Sequence, residues 1–261
     1  MRNSLTMTSV LYVYAVTREA ATPDAEGVDG TTRFGTAAVG DVHAVFTPVN
    51  ADEFSQEVID RRAGDLEWLG AIGYRHQAVM ADLMKKTAIV PLRAFTLFSS
   101  EEALRSYLTE QRELLSKALD RLDGKQEWTL RIELEPAKWS EALTGRIASL
   151  RDLQNEIGAA SPGKAFLLRK KLDDEKKRAS HAAEDELVAE IEQAVLAKLG
   201  CETVAESRQR RDGAFPQINV LLERDEESVL QQLRDELTAR YQHEGVTLAL
   251  SGPWPPYTFA T

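Results

Sequence analysis

Ile157-Gly158-Ala159-Ala160-Ser161-Pro162-Gly163-Lys164-Ala165-Phe166 sets a glycine, four residues and a Gly-Lys pair in one run, most of the loop with which nucleotide hydrolases cradle phosphate. Such a loop needs a strand to deliver the chain, a glycine-rich backbone around the phosphates, and a Ser or Thr hydroxyl after the lysine for magnesium. Ala165 stands where the hydroxyl is required. Leu143, Ile147, Leu150, Leu153 and Ile157 recur at helical spacing, so a helix and not a strand enters the segment. Pro162-Gly163 then reads as the punctuation of a turn between two helices. A nucleotide-binding enzyme built on Gly158 to Lys164, which saturable ATP binding lost in Lys164→Ala would support, stays as one alternative, and a generic protein-interaction scaffold as the other.

Outward from that turn, residues 137–199 are helical in pattern on both sides. Lys164 to Leu199 as one helix would be roughly 50 Å long. Its middle, KKLDDEKKRASHAAEDE, mixes acids and bases that can pair along the helix, so it reads as a solvated face of a projecting helical hairpin. Glu127-Trp128-Thr129-Leu130-Arg131-Ile132-Glu133-Leu134 alternates with the period of a half-buried strand and stops at Glu135-Pro136. After the hairpin come a strand at Phe215 to Leu222, an amphipathic helix at Glu226 to Tyr241, and a strand at Val246 to Leu250. Strand, long helices, strands, helix, strand is the order of a ferredoxin-like α+β sandwich with an enlarged first crossover.

The first half also mixes strands and helices. Val10 to Val16 reads as a buried strand, Thr31 to Val39 and Val42 to Phe46 as two more, the last ending at Thr47-Pro48. Asn50 can cap a helix opening at Ala51, and Gly64-Asp65 opens a longer one with Leu66, Leu69, Ile72, Val79 and Leu83 on one face and Trp68 and Tyr74 alongside. Thr87 to Arg93 reads as a strand that Pro91 confines to an edge or an end. Ser99-Ser100-Glu101-Glu102 starts a helix carrying Leu104, Leu108, Leu115, Leu119 and Leu122, which stops at Asp123-Gly124. The expected organisation is α+β in two domains: residues 1–124, residues 125–251 with the hairpin near 137–199, and a tail, 252–261, packed on them.

With 261 residues, 43% of them hydrophobic, the chain can bury a sizeable core. Its formal charge of -10 argues against nucleic acid as a partner, since phosphate binding wants a basic surface. A single cysteine, Cys201, leaves no internal disulfide and makes a reducing cytoplasm the default; no stretch is apolar for long enough to span a membrane. His43, His76, His181 and His243 are scattered, without metal-ligand spacing or a partner for nucleophilic chemistry. His76, beside aromatics in a helix, is the best candidate for a working imidazole and reads first as a packed or capping one. No metal site, cofactor or catalytic residue is expected.

The least ordinary segment is Ser251-Gly252-Pro253-Trp254-Pro255-Pro256-Tyr257-Thr258-Phe259. Its prolines stiffen an extended backbone that suits neither a helix nor a sheet interior. Either the tail staples Trp254, Tyr257 and Phe259 onto the protein's own core, or it is a pre-ordered aromatic arm for a partner.

Taken in order, LYVYAVT, DLEWLGAIGYRHQAVM, AIVPLRAFTLFSSEEALRSYL, LDGKQEWTLRIEL, SPGKAFLLRKKLDDE and the closing LSGPWPPYTFA resemble the GvpL/GvpF family of gas vesicle accessory proteins. One departure is local. The family usually reads Pro-Leu-Arg-Phe-Gly-Thr where this chain has Pro91-Leu92-Arg93-Ala94-Phe95-Thr96. The resemblance implies an α+β N-terminal domain, a modified ferredoxin-like C-terminal domain closed by the tail, and a non-enzymatic role in gas vesicle assembly. It implies as partners the very hydrophobic shell protein and other accessory proteins, with the gas vesicle and cytoplasm as location. Trp254, Tyr257 and Phe259, then Trp68 and Tyr74, are the expected partner contacts, because shell subunits expose apolar surface before incorporation.

Overall fold

The computed structural model describes residues 9–206 and 216–260. The chain divides into two compact units, Met1–Glu127 with Trp254–Thr261, and Trp128–Pro253, so the closing tail belongs to the first.

In the first unit, β1 (Ser9–Thr17), β2 (Gly35–Val39), β3 (Val42–Asn50) and β4 (Ile89–Pro91) form a sheet in the order β2-β3-β1-β4, and β5 (Leu97–Phe98) also pairs with β1. Every side chain from Tyr12 to Val16 is fully buried, so both faces of β1 are covered. One face carries Tyr12, Tyr14, Val45 and Val49, which share a cluster with Ile72, Val79, Met80 and Leu83 of α3 (Leu66–Lys86). The second long helix, α4 (Glu101–Leu122), buries the five leucines read from the sequence. Short helices α1 (Ala51–Phe54) and α2 (Gln56–Arg62) lead into α3. Caps set the starts: Asn50 accepts from the Asp52 amide, Asp65 from Trp68, and Ser100 from Ala103.

Several expected boundaries move. β3 runs through Pro48 to Asn50, because β2 begins only at Gly35, opposite Phe46, and leaves that side of β3 beyond Phe46 without a neighbour that would need the missing N–H. The second strand starts only at Gly35, whose hydrogen is what the Phe46 ring leaves room for: a Cβ there would lie 2.4 Å from the ring. Leu66 is not on the buried face of α3; it is 81% exposed. The helix α2 and the strand β5 are too short to leave a periodic pattern.

The second unit has β6 (Lys125–Leu134), β7 (Glu202–Glu206), β8 (Gln217–Glu223) and β9 (Val246–Trp254) in the order β7-β8-β6-β9. With α5 (Pro136–Arg146), α6 (Ala148–Ala159) and α7 (Pro162–Leu199) after β6, and α8 (Glu227–Tyr241) after β8, this is the βαββαβ arrangement with a three-helix first crossover. Its core joins Leu130, Ile132, Ile218, Val220 and Leu248 of the sheet to Ile191, Val195 and Leu230 of the helices. The start expected at Phe215 lies outside the described residues. β9 reaches Trp254 through Pro253, which an edge strand tolerates because only β6 pairs with it. The helical stretch breaks a second time, at Ile147, whose backbone is extended.

The turn of the opening stretch is now defined. α6 enters it, Pro162 is the first residue of the 38-residue α7, and Lys164 Nζ pairs with Glu156 at 2.8 Å. No strand delivers the chain there, so the nucleotide-loop alternative loses its first requirement. The charged middle of α7 is only partly a solvated face. Glu184 is buried, its Oε1 accepting from Ser180 Oγ at 2.8 Å, while Ser180 accepts from the Trp139 indole at 2.9 Å.

Candidate functional site

Tyr257 belongs to a chain of hydrogen bonds that begins in the sheet. The Phe95 amide donates to the Tyr12 hydroxyl at 3.1 Å, and that hydroxyl lies 3.0 Å from His76 Nδ1. On the other side of the ring, His76 Nε2 lies 3.0 Å from the Tyr257 hydroxyl, which donates to the Leu92 carbonyl at 3.4 Å. An amide can only donate and a carbonyl only accept, so the two ends polarise the chain. Tyr12 donates to Nδ1, the neutral imidazole carries its proton on Nε2, and Nε2–H donates to Tyr257. Burial agrees: it pushes the His76 pKa down to about 4, raises Tyr12 well above the usual tyrosine range, and pushes Tyr257 up to about 12. His76 is therefore a packed, neutral link between sheet and tail. It is the histidine the sequence singled out, in the structural role.

The rest of the tail is held by Glu127. Its two carboxylate oxygens accept from the Thr258 amide at 2.9 Å and the Thr258 hydroxyl at 2.7 Å. The Tyr257 and Phe259 amides bond to the Pro255 and Pro256 carbonyls, coiling the chain so that Phe259 turns inward. Phe259 is 2% exposed, whereas Trp254 and Tyr257 keep 41% and 37% of their surface. Within one short tail there is thus a buried staple and two half-open aromatics.

Trp68 and Tyr74 are not brought together. Trp68 is half-buried, stacked on Phe95 with centroids 5.4 Å apart and covered by the Arg62 guanidinium 4.5 Å from its ring. Tyr74 stands 78% exposed on α3.

Phe95 explains the local departure at 91–96. Thr96 N–H closes a turn onto the Arg93 carbonyl at 3.1 Å, and Phe95, its third residue, has φ 65. That position favours glycine, since a Cβ in left-handed backbone costs about 1–2 kcal/mol. It is the position at which the resemblance leads one to expect glycine. Here the strain is offset by the ring, which packs on Trp68 and edge-on against Tyr12. Phe95→Ala keeps the strain and loses the packing, so it should be less stable than Phe95→Gly by about 1 kcal/mol, reversing the usual order. Urea unfolding of the two variants checks this; alanine as the more stable one would contradict it.

Beside the Tyr257 hydroxyl lies a feature the sequence did not signal, because its parts come from distant segments. An open groove of about 710 Å³ between β4, β5 and α4 is lined by Val90, Pro91, Phe98, Tyr107, Leu115 and Tyr257 among others. Among the described residues Arg93, Lys117 and Arg121 line it, and no Asp or Glu side chain does. Among the described residues no three His, Cys, Asp or Glu side chains gather to hold a metal, and no helix is long and apolar enough to cross a membrane.

Comparison with known proteins adds three findings. A family model described as gas vesicle synthesis protein GvpL/GvpF matches residues 10–261. Gas vesicle protein L of Streptomyces sp. (strain CB03234) is 30% identical over 95% of this chain and 92% of its own, and gas vesicle protein L2 of Halobacterium salinarum is 29% identical over 95% and 90%. In fold, the chain is similar to crystal structures of the gas vesicle protein GvpF from Anabaena sp. PCC7120 (TM-score 0.66, 15% identity, 97% of this chain and 96% of that one) and from Microcystis aeruginosa (0.68, 14%, 97% and 99%).

Proposed function

Because the chain belongs to the GvpL/GvpF family of gas vesicle synthesis proteins, we propose that it is a non-enzymatic accessory protein which binds the hydrophobic shell protein during vesicle assembly. The coarser statement, a part in gas vesicle assembly, comes with family membership. Binding of the shell protein is our own reading, and the observation that carries it is the pair of half-open tail aromatics, Trp254 and Tyr257, in a tail that buried His76 and Glu127 hold at Tyr257 and Thr258. A preorganised aromatic loses little conformational freedom when it meets an apolar partner. Shell subunits expose apolar surface before they join a wall, and such surface aggregates in water unless it is covered. Other accessory proteins of the same vesicle are the second class of partner.

Trp254 and Tyr74 are exposed enough to replace without disturbing the core. Trp254→Ala together with Tyr74→Ala should reduce retention of the shell protein in co-purification by about tenfold or more. Undiminished retention with an unchanged unfolding curve would remove these aromatics from the interface.

A further inference from the structure

We infer that the groove between β4, β5 and α4 receives an amphipathic helix whose apolar stripe is flanked by carboxylates. The argument begins with shape. The groove's volume of about 710 Å³ lies in the range of specific ligand sites, and it is lined by Val90, Leu92, Phe98, Tyr107, Leu115 and the exposed Leu114.

The backbone along the groove decides between a strand and a helix as occupant. β4 and β5 bond to β1 on one side, which would ordinarily leave an edge for an added strand. β4 is only three residues long, Pro91 in it has no N–H to offer, and beyond it the Leu92 carbonyl accepts from Tyr257 and the Arg93 carbonyl from both the amide and the hydroxyl of Thr96. An added strand would find a short, interrupted ladder. A helix has satisfied its backbone internally and brings only side chains.

Charge completes the description of the occupant. In a chain of formal charge -10, the described lining of the groove carries Arg93, Lys117 and Arg121 and no Asp or Glu side chain. Lys117 also pairs with Glu113 of α4 at 2.7 Å. A helix with acids beside its apolar stripe is matched to this lining, and one flanked by lysines is opposed by it. The inference deepens the proposed function by naming the surface and the chemistry of the partner segment, and it rests on that reading only for the partner's identity.

The test uses the full chain and two synthetic helical peptides of about five turns, one with a leucine stripe flanked by glutamates and one with the same stripe flanked by lysines. Calorimetric titration should show the glutamate peptide binding at least about tenfold more tightly than the lysine peptide. Leu114→Asp, a change at a 67% exposed site, should abolish that binding without altering the unfolding curve, and Arg93→Glu should weaken it by about tenfold. No binding of either peptide, equal binding of both, or binding indifferent to Leu114→Asp would overturn the inference. Peptide binding alongside failure to retain the shell protein would uphold the groove and sink the shell-binding reading instead.

Discussion

Phe259→Ala should lower the stability of the first unit by about 3–5 kcal/mol, the cost of emptying a buried phenylalanine site. The ring is 2% exposed, and the tail that carries it is tied by Thr258 to both oxygens of Glu127 and by Tyr257 to His76. Loss of the ring removes the apolar part of that attachment and leaves the polar part open to water. Urea unfolding reads the effect as a lowered midpoint. A change below about 1 kcal/mol would mean that Phe259 is not a staple. The same comparison separates the two readings of the tail: the proposal assigns Phe259 to stability and Trp254 and Tyr257 to the partner.

The second large effect concerns acid. Burial holds the His76 pKa near 4, against an ordinary value of 6.5. Between those values the unfolded chain binds a proton that the folded protein refuses. The stability that a neutral His76 contributes is therefore complete above about pH 6.5, falls as pH drops toward 4, and stays lost below it, a total of about 3 kcal/mol. His76→Gln has no titrating group at this position. The difference in stability between the native chain and His76→Gln should shift by about that amount between pH 7 and pH 4, while carboxylates common to both cancel. Parallel curves for the two proteins would show that His76 titrates normally and that the neutral link from Tyr12 to Tyr257 is wrong.

The legible parts of the fold were those with long periods or strong caps. The leucines of α4, the alternation of β6 and the Asp65 and Ser100 caps each repeat one physical rule over several residues, and each element formed as read. Leu66 misled because it is the first helical residue after the Asp65 cap and stands exposed although the periodicity puts it on the apolar face. Glu184 misled because a local run of charge says nothing about Trp139 and Ser180, which bury it. Of the candidate site, the tail was visible through its prolines and aromatics. Which of those aromatics turns inward depends on Glu127, more than a hundred positions away in sequence, and could not be read. The groove was invisible for the same reason, since β4, α4 and Tyr257 meet only in the folded first unit. The glycine-to-phenylalanine departure gave a usable signal: a turn that favours glycine, filled by an aromatic, marks a place where packing offsets backbone strain.

The measurement that bears most directly on the central claim is co-expression of this chain, tagged, with the gas vesicle shell protein, followed by separation of soluble from sedimenting material and capture on the tag. The account predicts that the shell protein stays in the soluble fraction and is retained with the tagged chain. Shell protein that sediments to the same extent with or without this chain, and none of it captured, would contradict it.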